Sequence, residues 1–129
     1  MSPSRYDPSR PPDPEWWLSL DESEQIHVVE EFHRKARVRL PNAVAHAVLH
    51  VVIENQIALG SEIPVAATLA RLMQQGLDRH EAIHAIGSVL ATHMGALLRD
   101  ELPPQEDPNA AYFAALAELT PQSWRKQFG

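Results

Sequence analysis

The segment from Ala43 to Leu59 constrains this chain more than any other. It reads Ala43-Val-Ala-His46-Ala-Val-Leu-His50-Val-Val-Ile-Glu54-Asn-Gln-Ile-Ala-Leu59. Nearly every position is apolar except His46, His50 and Glu54, which recur every four residues. On a helix they form one stripe that drifts by only about 40° per step. A helix that is apolar on its other faces belongs in the centre of a bundle. A polar stripe carried there needs partners, because each unpaired polar group costs roughly 2–7 kcal/mol to bury.

A second segment, from about Arg79 to Arg99, offers those partners. His80 and His84 again stand four apart, with Ile86, Val89 and Leu90 on apolar faces. If the two helices pack antiparallel, both histidine pairs and one carboxylate converge. Imidazole nitrogens with a carboxylate oxygen suit a divalent transition metal, zinc or iron first among them. The competing reading makes His46, His50 and Glu54 the wet side of an amphipathic helix. Wet faces carry Lys, Glu, Arg and Gln, as the segment around Arg34 and Lys35 does. Two histidine pairs, one extended by a carboxylate on an apolar helix, favour the metal.

His80-Glu81-Ala82-Ile83-His84 also fits H-E-x-x-H, in which the glutamate of a zinc peptidase is the general base. Glu81 is therefore the candidate catalytic residue. It also stands three residues after Asp78, where a capping box accounts for it equally well. Glu30-x-x-His33 and Glu81-x-x-His84 have the spacing of di-iron bundles. Such a centre needs more inward carboxylates than Glu54 supplies, so a mononuclear site ranks above it. His27 and His33 lie on a charged helix and are expected at the surface. His93 falls on a rotated face and is expected to be a surface or supporting group.

The rest of the chain reads as helices punctuated by proline and glycine. Residues 1–14 hold five prolines and form a flexible arm, which becomes ordered near Trp16 and Trp17. Residues 15–129 form a single helical metal-binding domain. Its first helix spans about Asp21 to Val38, capped by Ser19 or Asp21, with Ile26, Val29 and Phe32 in its apolar stripe. Pro41-Asn42 starts the second, and Gly60 ends it. The third spans Val65 to Gln75 and stops at Gly76. The fourth starts at Asp78 and ends before Pro103-Pro104. A short Ala-rich helix follows from about Asn109 to Leu119, and Trp124 and Phe128 tuck the tail against the bundle. No stretch alternates with a period of two. The expected fold is all-α: a four-helix bundle with a short C-terminal helix and a Pro-rich N-terminal arm.

Composition narrows the function classes. The 129 residues contain no cysteine, which excludes disulfides and thiolate ligands, and seven histidines, which is unusually many. A net charge of −6 argues against nucleic acid as a partner. The Thr68–Arg79 stretch only faintly suggests a helix-turn-helix, and the helix after it is apolar where a DNA reader is basic. The longest apolar run is too short to span a bilayer, and the N-terminus lacks a signal peptide, so no membrane partner and a cytoplasmic location are expected.

The pattern His46-x3-His50-x3-Glu54-Asn55-Gln56, then Arg79-His80-x3-His84, resembles an uncharacterised bacterial family, domain of unknown function 1841. The stretch Asn109-Ala-Ala-Tyr112-Phe-Ala-Ala-Leu116 is similar to that family's C-terminal end. The resemblance covers roughly residues 40 to 117. It implies a small helical bundle, with His46, His50, Glu54, His80 and His84 as its metal-binding positions, and it implies no established activity. The N-terminal region departs from the family, and the family pattern does not require a glutamate at the place of Glu81.

Two functions stay open on these grounds. One is a mononuclear metal protein, enzymatic as a metal-dependent hydrolase if a coordination position is free, or structural, storing or sensing if five protein ligands close the site. The other is a non-enzymatic interaction module, with the Trp16-Trp17 arm as a contact and a homodimer as one form of it.

Overall fold

The computed structural model describes residues 6–35, 43–99 and 109–128. Among them the chain is all helix, with no strand. In chain order the elements are α1 (Pro14–Ser19), α2 (Glu22–Lys35), α3 (Ala43–Ala58), a 3-10 turn (Gly60–Glu62), α4 (Val65–Gln74), α5 (Arg79–Leu98), α6 (Ala110–Glu118) and α7 (Pro121–Phe128). The expected end of the first helix at Val38 and the Pro41-Asn42 break lie outside the described residues, as do the Pro103-Pro104 stop and the side chain of Phe128.

Local signals explain the boundaries. Asp21 and Glu24 cap α2 reciprocally, at 2.8 and 2.9 Å. α4 ends in a Schellman motif: Gly76, at φ 111°, and Leu77 donate back to the carbonyls of Met73 and Leu72. Leu77 and Leu72 are both buried at that end. Gly60, at φ 63°, follows α3 in the same left-handed conformation.

Two short helices were not foreseen, α1 and α7. Both begin on a proline, Pro14 and Pro121, preceded by a capping side chain. Asp13 accepts from the Trp16 amide, and Thr120 accepts from the Ser123 amide. A proline in the first helical position costs nothing, because that amide has no intrahelical acceptor anyway. The same residue that breaks a helix interior therefore opens these two.

The apolar core has two parts, and α3 contributes to both. Ile53 packs with Val65, Leu69 and Leu72 of α4, Ile83 and Ile86 of α5, and Tyr112 and Leu116 of α6. Ala47 and Val51 pack instead with Val28 and Val29 of α2, Trp17 of α1 and Tyr6 of the arm. Tyr6 is 4% exposed, so the arm joins the bundle well before Trp16. Its neighbour Pro8 is also buried.

α3 is inverted relative to an ordinary surface helix. Its polar residues His50 and Glu54 are fully buried, while Val44 and Val48 are exposed. α3 and α5 run antiparallel: His46, near the start of α3, meets His84, and Glu54, near its end, meets Arg79 at the start of α5.

Among the described residues, Glu54 and Arg79 form the most deeply buried ion pair. The guanidinium grips both carboxylate oxygens, each at 2.8 Å, and the two side chains are 1% and 3% exposed. Removing one partner strands the other charge in the interior, which costs about 3–5 kcal/mol. Arg79→Met is therefore expected to lower the urea midpoint sharply, and the double variant Glu54→Leu/Arg79→Met to recover most of the loss. A double variant no more stable than Arg79→Met would contradict this account.

Candidate metal centre

Five imidazoles meet where α2, α3 and α5 come together. His33 comes from α2, His46 and His50 from α3, and His80 and His84 from α5. One ring nitrogen from each lies within 4.8 Å of all the others. The cluster can hold a metal ion.

Its tightest part is a triangle. The Nε2 atoms of His46, His50 and His84 are 3.1 Å apart along each edge. For metal–nitrogen bonds of about 2.0–2.1 Å, two donors at a right angle stand about 2.9 Å apart, and two at the tetrahedral angle about 3.4 Å. The triangle falls between the two, so three nitrogens can share one cation with little adjustment.

The hydrogen bonds fix which nitrogen two of the rings present. His33 Nδ1 lies 2.9 Å from the Val29 carbonyl, which can only accept. The proton is therefore on Nδ1, and Nε2 carries a lone pair. That Nε2 is buried and has no hydrogen-bond partner. His50 Nδ1 lies 2.9 Å from the Tyr6 hydroxyl, whose single proton is donated to Glu54 Oε2 at 2.8 Å. The hydroxyl can therefore only accept from His50, and His50 too turns a bare Nε2 into the cluster. His80 Nε2 is also buried without a partner. Buried polar atoms are nearly always paired, so these bare nitrogens are available as donors to a cation, although His93 Nε2, apart from the group, is buried and unpaired too.

The electrostatics keep the α3 and α5 donors unprotonated. Burial, then the neighbouring imidazoles, lowers His46 and His84 from the ordinary 6.5 to about 4. His80 is likewise lowered to about 4, by burial first and His33 next. His50, the deepest of these, is pushed further down by burial and then by His84. Burial and the Glu54 carboxylate raise Tyr6, which therefore remains a phenol and a donor.

Glu54 lies away from the imidazole group. Both its oxygens are held by Arg79, and Oε2 also takes the Tyr6 proton. It reaches the cluster only through Tyr6, as the acceptor that orients His50. The reason is the drift along α3: each four-residue step rotates the stripe, and two steps carry Glu54 past the cluster to the start of α5. Glu81 is bound into a capping box. Its side chain accepts from the Asp78 amide at 3.0 Å, while the Asp78 side chain accepts from the Glu81 amide at 2.8 Å. The capping reading thus accounts for this glutamate, and no carboxylate joins the imidazole group among the described residues.

His33 was expected at the surface and is 4% exposed. The signal was present: it follows Val29 by four residues, on the stripe through which α2 packs on α3. The charged neighbours Arg34 and Lys35 masked it. His27 is exposed, as expected. His93 lies apart from the group and is 8% exposed, so it is no surface residue; its ring stacks on Tyr112 at 5.7 Å.

Tyr6 could not be found from spacing, since 44 residues separate it from His50. Pro8 supplies a further tie, because its carbonyl accepts from Arg79 at 3.1 Å. Trp17 anchors α1: its indole donates to Asn55 at 2.8 Å, and Asn55 exchanges hydrogen bonds with buried Gln25.

No helix among the described residues is long and apolar enough to cross a membrane. The chain matches no family model, no curated protein and no solved structure.

The imidazoles predict how the metal-free protein responds to acid. In the unfolded chain they take up protons near 6.5, whereas His46, His80 and His84 in the fold do so near 4. Between those values the unfolded state binds more protons, so stability is retained above 6.5 and falls as the pH drops towards 4. Urea unfolding of chelator-treated protein should show the midpoint falling steadily across this window. A midpoint independent of pH there would remove the buried neutral imidazoles from the account.

Proposed function

We propose that this protein binds one divalent late first-row transition metal through His33, His46, His50, His80 and His84. The observation that carries this reading is the convergence of five imidazole nitrogens, two of them with tautomers set by hydrogen bonds outside the cluster. Neutral imidazoles suit zinc, copper, iron and nickel, and leave magnesium and calcium without the oxygen donors they need. Five donors exceed the four of a structural zinc site and leave a six-coordinate ion one free position. That position is where a bound metal would act as a Lewis acid toward an incoming oxygen or nitrogen atom.

The hydrolase version of this reading has less support. Its proton shuttle would be Glu81 or Glu54, and both carboxylates are engaged elsewhere. A di-iron centre lacks its bridging carboxylates among the described residues. We therefore favour a mononuclear all-nitrogen centre that binds a ligand or senses the metal over a peptidase-like enzyme.

Untagged protein, purified and analysed by mass spectrometry, is expected to carry about one metal per chain. His50→Ala/His84→Ala should abolish uptake, and Glu81→Gln should leave it unchanged. His33→Ala should weaken binding, which separates this ligand set from one confined to α3 and α5. Tyr6→Phe removes the group that orients His50 and should lower affinity about 10–100-fold in a chelator competition. Wild-type protein that takes up none of zinc, iron, cobalt, nickel or copper would end this proposal.

A further inference from the structure

A cleft of about 510 Å³ opens beside the imidazole cluster. His46, His50 and His84 form one end of it, so the three nitrogens of the tight triangle belong to residues that line the cleft. Leu49 of α3, Ile83 of α5 and Trp124 of α7 supply apolar walls. Its volume lies within the range of small-molecule sites, roughly 300–1,000 Å³.

α5 leaves this space open. Beyond His84, the residues that face the cleft are Gly87, Ser88, Ala91 and Thr92, all small. A Cβ on Gly87 would meet nothing within 4 Å. Neither packing nor backbone conformation therefore calls for glycine in the middle of this helix, where it is a poor helix former.

The lining also restricts the chemistry of an occupant. Among the described residues it contains no Lys, Arg, Asp or Glu. The Ser88 hydroxyl donates to the His84 carbonyl at 2.9 Å and the Thr92 hydroxyl to the Ser88 carbonyl at 3.0 Å. Both protons are used within the helix, and only acceptor lone pairs remain. The described walls present no ionised side chain to a charged body, and water held against them would be poorly satisfied and readily displaced by an apolar group.

We propose that this cleft binds a small molecule with one oxygen or nitrogen donor as its head and an uncharged apolar body. The head meets the metal at the His46, His50 and His84 end, and the body lies along α5 against Trp124. This rests on the metal reading above and adds the class of ligand.

The test uses untagged full-length protein loaded with cobalt(II), whose visible absorption reports changes in coordination. 1-Methylimidazole and 1-benzylimidazole serve as probes with the same single nitrogen donor and different bodies. After correction for their ratio toward free cobalt(II), 1-benzylimidazole should bind at least tenfold more tightly. Gly87→Leu and Ala91→Phe fill the cleft at different points along α5. Each should erase that preference while leaving cobalt content and 1-methylimidazole affinity within about threefold of wild type. Whichever variant keeps its cobalt decides the point. One cobalt per chain with no preference between the probes, or a preference that survives the substitutions, overturns this inference and leaves the metal reading standing. Failure to take up cobalt or any other late first-row metal removes both.

Discussion

The bidentate pair between Glu54 and Arg79 ties together everything that shapes the site. It joins the end of α3 to the start of α5 and so sets the register in which His46 faces His84. The same carboxylate takes the Tyr6 proton, and the same guanidinium holds the Pro8 carbonyl, so the arm is fastened by the pair as well. Tyr6 then passes this order on to His50 by accepting its Nδ1 proton. Two opposite charges out of water are costly to bury, and this fold satisfies them with a phenol and a backbone carbonyl besides each other. A chain of polar contacts thus runs from the arm through the ion pair to the centre of the imidazole cluster.

The cluster itself inverts the usual economy of a helical bundle. α3 turns its histidines inward and leaves Val44 and Val48 outside. Burial lowers the imidazole pKa values and keeps the nitrogens bare at neutral pH, which is the state a metal requires. The cost of this burial appears as nitrogens that lack partners, His33 Nε2 and His80 Nε2 in the cluster and His93 Nε2 apart from it. The apolar cores on either side of the cluster hold it in place: Ile53, Ile83 and Ile86 on one side, Val29, Val51 and Trp17 on the other.

Much of this was legible in the chain. Helix limits at Gly60, Gly76 and Asp78 follow from capping and left-handed turns, which depend only on neighbouring residues. The inward stripe of His46 and His50, and its meeting with His80 and His84, follow from four-residue spacing on helices too apolar to sit at the surface. Where proline begins a helix rather than ending one, as at Pro14 and Pro121, the same local signal supports two outcomes, and α1 and α7 were missed for that reason.

By itself, then, the sequence determined the all-helical architecture and four of the five clustered imidazoles, because both are written in periodicities of three to four residues. Only the tertiary structure decided the rest. It brought His33 in from a helix whose charges suggested solvent, gave Glu54 to Arg79, kept Glu81 as a cap, and set Tyr6 against His50 across 44 residues of chain. Those choices depend on how far each helix is rotated against its neighbours. No repeat within one helix encodes that angle; it is fixed by side chains packing across the interfaces.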